Sequence, residues 1–418
     1  MKRGLFYLLI ILCILVGYSC DDKMTKEEYE RLAQNNYSQN NVIAQKRLKS
    51  IMFHDENMNI ERFKIIHISD SHVSAKSNSS NHYENPRNLK EAIAFANQDS
   101  LYINALVCTG DLIDNGKKED AFKFMSSFFN SFYNNNSIPS FPLFGNHDSN
   151  IIYNRVNKTS NEDLRKTELH SNFNNKGNYD LQRPHGENYY YADVANPMGG
   201  TIRIIALDML DQEGTEYYTQ DTVIYSDKQV QWFCETALKE NMTSAHSVIV
   251  LNHYPFARMC WGDGSTYLDW GDFVHPWNMI PEIVEAFREK IPIAKTYQNR
   301  QIKDSIIINT DFTSTPGEFI CYMGGHAHVT ARFDIAELEN STGNLLPQKM
   351  LLCSNMSPSE VGTMYNRVKR EPYSLSDNSF CIYAIDTKEK KIYITFFGAY
   401  MPEGMTNREC SEIQVISY

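Results

Sequence analysis

The sequence predicts a mixed α/β fold, because short apolar runs with β-branched residues alternate along the chain with segments of helical periodicity. Strands are predicted over residues 63–68, 105–108, 141–144, 201–207, 247–251 and 318–323, and a hairpin is predicted over 379–397. No clean linker divides this alternation, so residues 61–418 are predicted to form one domain.

Local signals place helices between these strands. Asn85 and Pro86 provide an N-cap followed by a first-turn proline, which begins the first helix. An apolar-faced helix is predicted over 117–132, and Ser226 with Gln229 forms the capping-box pattern that opens a further one. This alternation is typical of sheets that are covered by helices.

Composition excludes several classes of protein. The 418 residues are 42% hydrophobic and 22% charged, which is enough to bury a sizeable core. The net charge of −11 predicts no basic patch for a nucleic-acid backbone. Of the nine cysteines, Cys13 and Cys20 lie near the N-terminus, and the others show no paired spacing, so we expect buried small side chains rather than a disulfide framework.

Residues 1–20 resemble a bacterial lipoprotein signal. Two basic residues precede the apolar stretch Leu5–Val16, which is too short to span a bilayer and is followed by Gly-Tyr-Ser-Cys ending at Cys20. The resemblance implies that the peptide before Cys20 is removed and the Cys20 thiol is acylated. The chain is therefore expected to be exported and lipid-anchored to a bacterial outer membrane, facing the periplasm or the cell surface. A plain secretory peptide cleaved near Ser19 is the alternative.

Three segments differ in character from the rest of the chain. Residues 21–60 are polar and rich in Asn, Gln, Lys and Glu, which predicts a tether with a short helix around Lys26–Ala33. Residues 149–188 are polar and Asn-rich, and residues 254–277 are dense in aromatic residues and Gly. Both of these later segments are predicted to be insertions into the domain.

Five of the strand-like runs end in side chains of the kind that bind metal ions. In chain order these ends read Asp70-x-His72, Gly110-Asp111, Gly145-Asn146-His147-Asp148, His253 and Gly325-His326-x-His328. Each cluster alone occurs often by chance, but a rigid sheet directs side chains at its strand ends toward a shared site. The donors are carboxylates, imidazoles and one amide oxygen without a thiolate, which favours Zn, Fe, Mn or Ni over a structural zinc site.

This ordered series resembles the signature of the calcineurin-like metallophosphoesterase superfamily, and it extends from Asp70 to His328. The resemblance implies a four-layer αββα fold, in which two mixed β-sheets pack face to face with helices outside. It also implies a phosphoric ester hydrolase with two divalent or trivalent metal ions that share Asp111. One ion would be bound by Asp70, His72, Asp111 and His328. The other would be bound by Asp111, Asn146, His253 and His326.

The resemblance implies roles for further residues of the motifs. A hydroxide held between the two metal ions would attack the phosphorus atom. His147 would protonate the leaving-group oxygen as general acid, and Asp114 would orient His147. Purple acid phosphatases carry a metal-bound Tyr where Asp114 stands, so membership of that class is not expected.

The sequence constrains the substrate contacts less than it constrains the metal ligands. Arg258, Trp261 and His275 are candidate substrate contacts because they lie in the aromatic segment that follows His253, although a loop with its own small core is the alternative. The ligand set does not separate phosphomonoesters from phosphodiesters. Two other functions stay open, namely a surface binding protein without turnover and a dinuclear hydrolase of a non-phosphate bond. His67, inside the first strand, is predicted to be a packed core residue.

Overall fold

The computed structural model of the chain describes residues 26–73, 84–114, 118–133, 136–150, 179–211, 222–256, 259–260, 266–268, 272–273, 278–298, 305–328, 331–334, 348–354, 356, 374–398 and 413–418. Several predictions fall outside these residues. They are the leader with Cys20, the centre of the insertion at 149–188, and the substrate contacts Arg258, Trp261 and His275.

The described strands are β1 (Phe63–Ile68), β2 (Ala105–Thr109), β3 (Ser140–Leu143), β4 (Tyr190–Ala195), β5 (Thr201–Ala206), β6 (Thr222–Val223), β7 (His246–Leu251), β8 (Met259–Cys260), β9 (Thr266–Leu268), β10 (Asp272–Phe273), β11 (Pro292–Gln298), β12 (Ser305–Asp311), β13 (Glu318–Gly324), β14 (Ala331–Asp334), β15 (Lys349–Leu352), β16 (Ser379–Asp386), β17 (Lys391–Gly398) and β18 (Gln414–Ser417). The described helices are α1 (Lys26–Ile51), α2 (Glu84–Ala96), α3 (Lys118–Tyr133), α4 (Asp227–Trp232, continued as a π-helix over Phe233–Ala237) and α5 (Met279–Glu289). None of the helices in these ranges has both the length and the apolar character that crossing a membrane requires.

Within the described residues, two six-stranded mixed sheets form the centre of the molecule. Sheet A has the order β18–β17–β16–β1–β2–β3, and sheet B has the order β14–β15–β13–β7–β5–β4. The strands β1, β2 and β3 run parallel in sheet A, as β15, β13, β7 and β5 do in sheet B. Three two-stranded ribbons, β6/β10, β8/β9 and β11/β12, complete the described strands.

Helices cover the outer faces of both sheets. Every residue of β1 and β2 is buried, as expected for strands that are covered on both sides. Helix α1 packs on β17 and helix α2 packs on β1, while the outer face of sheet B packs on α4 and α5 through side chains such as Val230, Phe287 and Tyr322. The predicted four-layer αββα fold is therefore confirmed.

The parallel strands direct their carboxyl ends to one edge of the molecule. Backbone hydrogen bonds continue the strand pairing into the loops, since Asp70 N donates to Gly110 O (3.0 Å) in sheet A and Gly325 N donates to His253 O (3.0 Å) in sheet B. Loops that leave parallel strands in this way remain neighbours, which is where open α/β sheets form their sites.

Helix α1 differs from the predicted tether. Lys26–Ile51 is one helix of 26 residues. Ala33, Ala44 and Leu48 are buried at helical spacing, while the polar residues that dominate the composition occupy the remaining faces. The tether prediction is wrong over Lys26–Ile51, because an amphipathic helix that belongs to the domain has the same average composition as a polar linker.

Candidate metal centre

Loops from both sheets bring the predicted ligands together. The loops after β1, β2 and β3 contribute Asp70, His72, Asp111 and Asn146. The loops after β7 and β13 contribute His253, His326 and His328. Two groups of donor atoms result, each lying within 4.8 Å, and they consist of Asp70, His72 and His328 and of Asp111, His253 and His326.

The first group fits a single metal ion. His72 Nε2 lies 3.0 Å from His328 Nε2, and Asp70 Oδ1 lies 3.3 Å from His328 Nε2 and 3.8 Å from His72 Nε2. Donor atoms that bind one ion at about 2.0–2.2 Å lie roughly 3–3.5 Å from one another. The two distances to His328 fall in this range and the distance between Asp70 and His72 is slightly longer, so the three side chains are close enough to share one ion.

The second group is spaced in the same way and lies deeper. Asn146 Oδ1 is 3.0 Å from His253 Nε2 and 3.2 Å from His326 Nδ1. Asp111 Oδ2 is 3.3 Å from His253 Nε2. His253 is fully buried, so this end of the site is closed to solvent.

Asp111 connects the two groups. Its Oδ2 atom lies 3.7 Å from His72 Nε2 in the first group and 3.3 Å from His253 Nε2 in the second. Its Oδ1 atom accepts a hydrogen bond from the backbone N–H of His147 (2.9 Å). One carboxylate thus faces both groups, as a residue shared by two ions would.

Neighbouring groups orient the ligands. His253 Nδ1 donates to the Thr109 carbonyl (2.6 Å), which turns Nε2 toward Asp111. The His326 ring stacks on the buried Tyr254 ring with centroids 3.7 Å apart. Such contacts beyond the ligands fix the tautomer and the orientation of an imidazole before a metal ion binds.

The ligand loops adopt an uncommon backbone conformation. Among the described residues, eleven non-glycine residues have a positive φ, and five of these are predicted ligands, namely Asp70, His72, Asp111, His326 and His328. Left-handed backbone is disfavoured for residues with a Cβ atom and collects at functional sites, where surrounding structure holds it in place. The strain is therefore concentrated where the metal-binding motifs lie.

The charges of the protein set the protonation of the donors. Burial, followed by the nearby His147, lowers the pKa of His72 to about 4, so its ring is neutral at neutral pH. Burial opposes ionisation of Asp70, but His328 and further histidines lower the pKa of its carboxyl to about 2. Burial also opposes the imidazolium of His253, yet Asp111 raises its pKa to about 9.

His147 and Asp114 lie at the open side of the site. His147 Nδ1 is 3.1 Å from Asp114 Oδ1, and the two side chains are 21% and 24% exposed. Burial disfavours the charged ring, but Asp111 and then Asp114 raise the pKa of His147 above its ordinary value. The His147 ring also lies edge-on to the His72 ring with centroids 4.7 Å apart. His147 therefore stands between the two groups of donors and solvent, and its ring holds a proton more readily than a free imidazole does.

Asp148 has a role that the sequence analysis missed. Its fully buried carboxylate accepts hydrogen bonds from the backbone N–H groups of Gly145 (2.7 Å), Leu112 (3.2 Å) and Ile113 (3.0 Å). These bonds tie the loop that carries Asp111 to the loop that carries Asn146. The sequence signal that marks Asp148 is its place in the motif Gly145-Asn146-His147-Asp148, where the family resemblance gives this carboxylate no metal-binding role.

Gly110 offers a test of how tightly the loops must approach. Its φ is +97°, and a Cβ atom there would lie 2.5 Å from His253 Nδ1. We expect Gly110→Ala to lower the free energy of unfolding by more than the about 1–2 kcal/mol of left-handed strain alone, and to weaken metal binding because His253 must move. Urea unfolding and metal analysis measure the two effects.

Gly186→Ala is the matched control for this substitution. Gly186 also has a positive φ (+85°), but a Cβ atom there meets nothing within 4 Å. We expect Gly186→Ala to lower the free energy of unfolding by about 1–2 kcal/mol, from left-handed strain alone, and to leave the metal content unchanged. Equal effects of the two substitutions on metal content would contradict the close approach of Gly110 to His253.

Comparison with known proteins identifies a family for the sequence. The sequence matches the calcineurin-like phosphoesterase family over residues 63–293. No curated protein matches the chain. Among solved structures, a purple acid phosphatase from yellow lupin (Lupinus luteus) seeds is similar at 14% identity and a TM-score of 0.44, covering 86% of this chain and 54% of that chain. PhoD is similar at 8% identity and a TM-score of 0.44, covering 81% of this chain and 66% of that chain.

The chain thus spans about half the length of the lupin protein and about two thirds of PhoD. Because both TM-scores are below 0.5, the assignment rests on the sheet order and on the family match. That match covers more than half of the 418 residues and includes the loops after β1, β2, β3 and β7. The chain therefore belongs to the calcineurin-like phosphoesterase family.

Proposed function

We propose that the chain hydrolyses a phosphate ester at a dinuclear metal centre, with His147 as the general acid and Asp114 as the residue that orients it. The position of Asp111 is the observation that carries this proposal, because its carboxylate lies between two groups of donors that are each spaced as ligands of one ion. The donors are carboxylates, imidazoles and an amide, which suits Zn, Fe, Mn or Ni.

The residues divide between the two ions as the family resemblance implies. One ion would be held by Asp70, His72, Asp111 and His328. The other would be held by Asp111, Asn146, His253 and His326. When bound, such a pair of ions neutralises phosphoryl oxygens and acidifies a water molecule for attack on phosphorus.

His147 supplies the proton that the leaving group needs. Its Nδ1 atom faces Asp114 Oδ1 (3.1 Å), so the transferable proton is carried on Nε2. A general acid works best when it is protonated near the operating pH, and Asp111 and Asp114 raise the pKa of His147 against the effect of burial. The partial exposure of both side chains supports this role, because a substrate can reach a side chain that is not fully buried.

The substrate is proposed as a phosphomonoester or a phosphodiester. Arg258, Trp261 and His275 are proposed as substrate contacts on the strength of their sequence positions after His253. An arginine at that position would pair with a phosphate oxygen, and the aromatic residues would provide an apolar wall.

Substituting His147 tests the proposed chemistry. We expect His147→Ala to reduce turnover of p-nitrophenyl phosphate or its bis-ester by about 10²–10⁴-fold, because the leaving group loses its proton donor, and to leave the metal content unchanged. The assay is run with Mn, Zn or Fe, and the preferred ester separates a monoesterase from a diesterase.

The matched control is His185→Ala, at an exposed histidine of the loop before β4. We expect wild-type turnover from this variant. Loss of metal from His147→Ala would make His147 a ligand and contradict the general-acid role. Two bound metal ions in the wild type without turnover of either ester would favour a hydrolase with a narrow substrate or a binding protein without turnover.

We also propose that Cys20 is lipidated and that the chain is exported and anchored to a bacterial outer membrane. The sequence around Cys20 supports this, because an apolar stretch after two basic residues leads into Gly-Tyr-Ser-Cys. The wild type is expected to enter the detergent phase when membrane extracts are partitioned, and Cys20→Ser the aqueous phase. Cys13→Ser, inside the leader, should behave as the wild type; equal partition of all three would contradict lipidation of Cys20.

A further inference from the structure

A continuous line of buried hydrogen bonds runs from the interior of sheet A to the ligand Asp70. Ser69 Oγ lies 2.6 Å from Asp70 Oδ2, and Thr109 Oγ1 lies 2.9 Å from Ser69 Oγ. His67 Nε2 lies 2.8 Å from Thr109 Oγ1, and Tyr383 Oη lies 3.3 Å from His67 Nδ1. All of these side chains are at most 1% exposed, so water does not compete for their contacts.

The carboxylate fixes the direction of every bond in this line. An ionised carboxylate can only accept, so Ser69 donates to Asp70, and its contact with the Thr109 carbonyl is longer at 3.4 Å. Ser69 then accepts from Thr109, and Thr109 accepts from Nε2–H of His67. His67 Nδ1 accepts from the Tyr383 hydroxyl. A neutral imidazole with its proton on Nε2 satisfies both contacts of His67 at once.

The sequence predicts a packed core histidine at position 67, and the structure shows why an apolar residue would not serve there. His67 is fully buried, and burial lowers its pKa to about 3, which keeps the ring neutral. A neutral imidazole combines a donor and an acceptor on opposite sides of one rigid ring, so it can connect Tyr383 on β16 to Thr109 on β2. A hydrophobic side chain of similar size would fill the space and interrupt the line.

We propose that Tyr383, His67, Thr109 and Ser69 form a directed hydrogen-bond relay that orients Asp70 toward its metal ion, with His67 as a positioning residue. The inference rests on the proposed dinuclear function. The relay holds Asp70 Oδ2 from one side, and the His326 backbone N–H lies against both carboxylate oxygens, 2.9 Å from Oδ2 and 3.1 Å from Oδ1. Oδ1 receives no bond from the relay and lies 3.3 Å from His328 Nε2. Hydrogen bonds in series polarise one another, so the relay also tunes the basicity of the ligand.

Two substitutions of Thr109 separate this role from packing. Thr109→Val keeps the shape and removes the hydroxyl, and Thr109→Ser keeps the hydroxyl and removes a methyl group. We expect Thr109→Val to weaken one of the two metal-binding steps by about 10–100-fold and Thr109→Ser to bind both ions as the wild type does. If Thr109 only fills space, Thr109→Ser should weaken metal binding more than Thr109→Val does, because only the Ser variant leaves a cavity.

Isothermal titration of the metal-free full chain with Mn²⁺ or Zn²⁺ measures both steps, and melting temperatures report folding. Thr395→Val is the control, at a fully buried threonine on β17 outside the relay, and it should change neither step. Two normal binding steps in Thr109→Val would overturn the relay. A wild type that binds fewer than two ions would instead overturn the dinuclear function on which the relay rests.

A second measurement needs neither metal nor a substitution at Thr109. The NMR spectrum of the wild-type chain labelled with ¹⁵N-histidine reports the protonation of each ring nitrogen, and His67→Gln identifies which signals belong to His67. We expect these signals to show a protonated Nε2 and an unprotonated Nδ1 at neutral pH. This tautomer follows from the direction of the relay. A proton on Nδ1, or a charged ring, would overturn the proposal.

Discussion

The rest of the site depends on the buried carboxylate of Asp111. This carboxylate faces His72 from sheet A at 3.7 Å and His253 from sheet B at 3.3 Å, and it accepts the backbone N–H of His147 as well. Histidines from both sheets therefore face this one side chain. This arrangement requires a left-handed backbone at Asp111 and a residue without a Cβ atom at position 110, which is Gly110. Both requirements follow from how closely the loops after β2 and β7 approach.

Two buried carboxylates in one site would be unfavourable without compensation. Histidines from sheet B face both of them, since His328 lies 3.3 Å from Asp70 and His253 lies 3.3 Å from Asp111. Asp148 and the relay add a different kind of support, because they hold backbone N–H groups and a ligand oxygen without contributing a metal ligand. The site is therefore organised by the protein before any ion binds, which lowers the reorganisation that catalysis would otherwise require.

Sequence reasoning found the side chains that cluster in the structure because each one follows a strand directly, so a local pattern marks it. The contacts it missed join residues that are distant in the chain. Asp148 bonds Leu112 across 36 positions, and Tyr383 reaches His67 across 316 positions, and no local pattern marks either contact. Helix α1 was misjudged for another reason, since its buried stripe of Ala44 and Leu48 is too sparse to change the average composition of a polar segment. The two-sheet fold became predictable only through the family resemblance.

The most direct test of the dinuclear centre is the metal content of the wild type and of Asp111→Asn, determined by mass spectrometry together with ester hydrolysis. We expect about two ions per wild-type chain, and loss of bound metal and of turnover in Asp111→Asn, because an amide does not serve as the shared anionic ligand. Asp180→Asn, at an exposed carboxylate outside the site, should match the wild type. Two tightly bound ions in Asp111→Asn, or no metal in the wild type under any condition, would contradict the account.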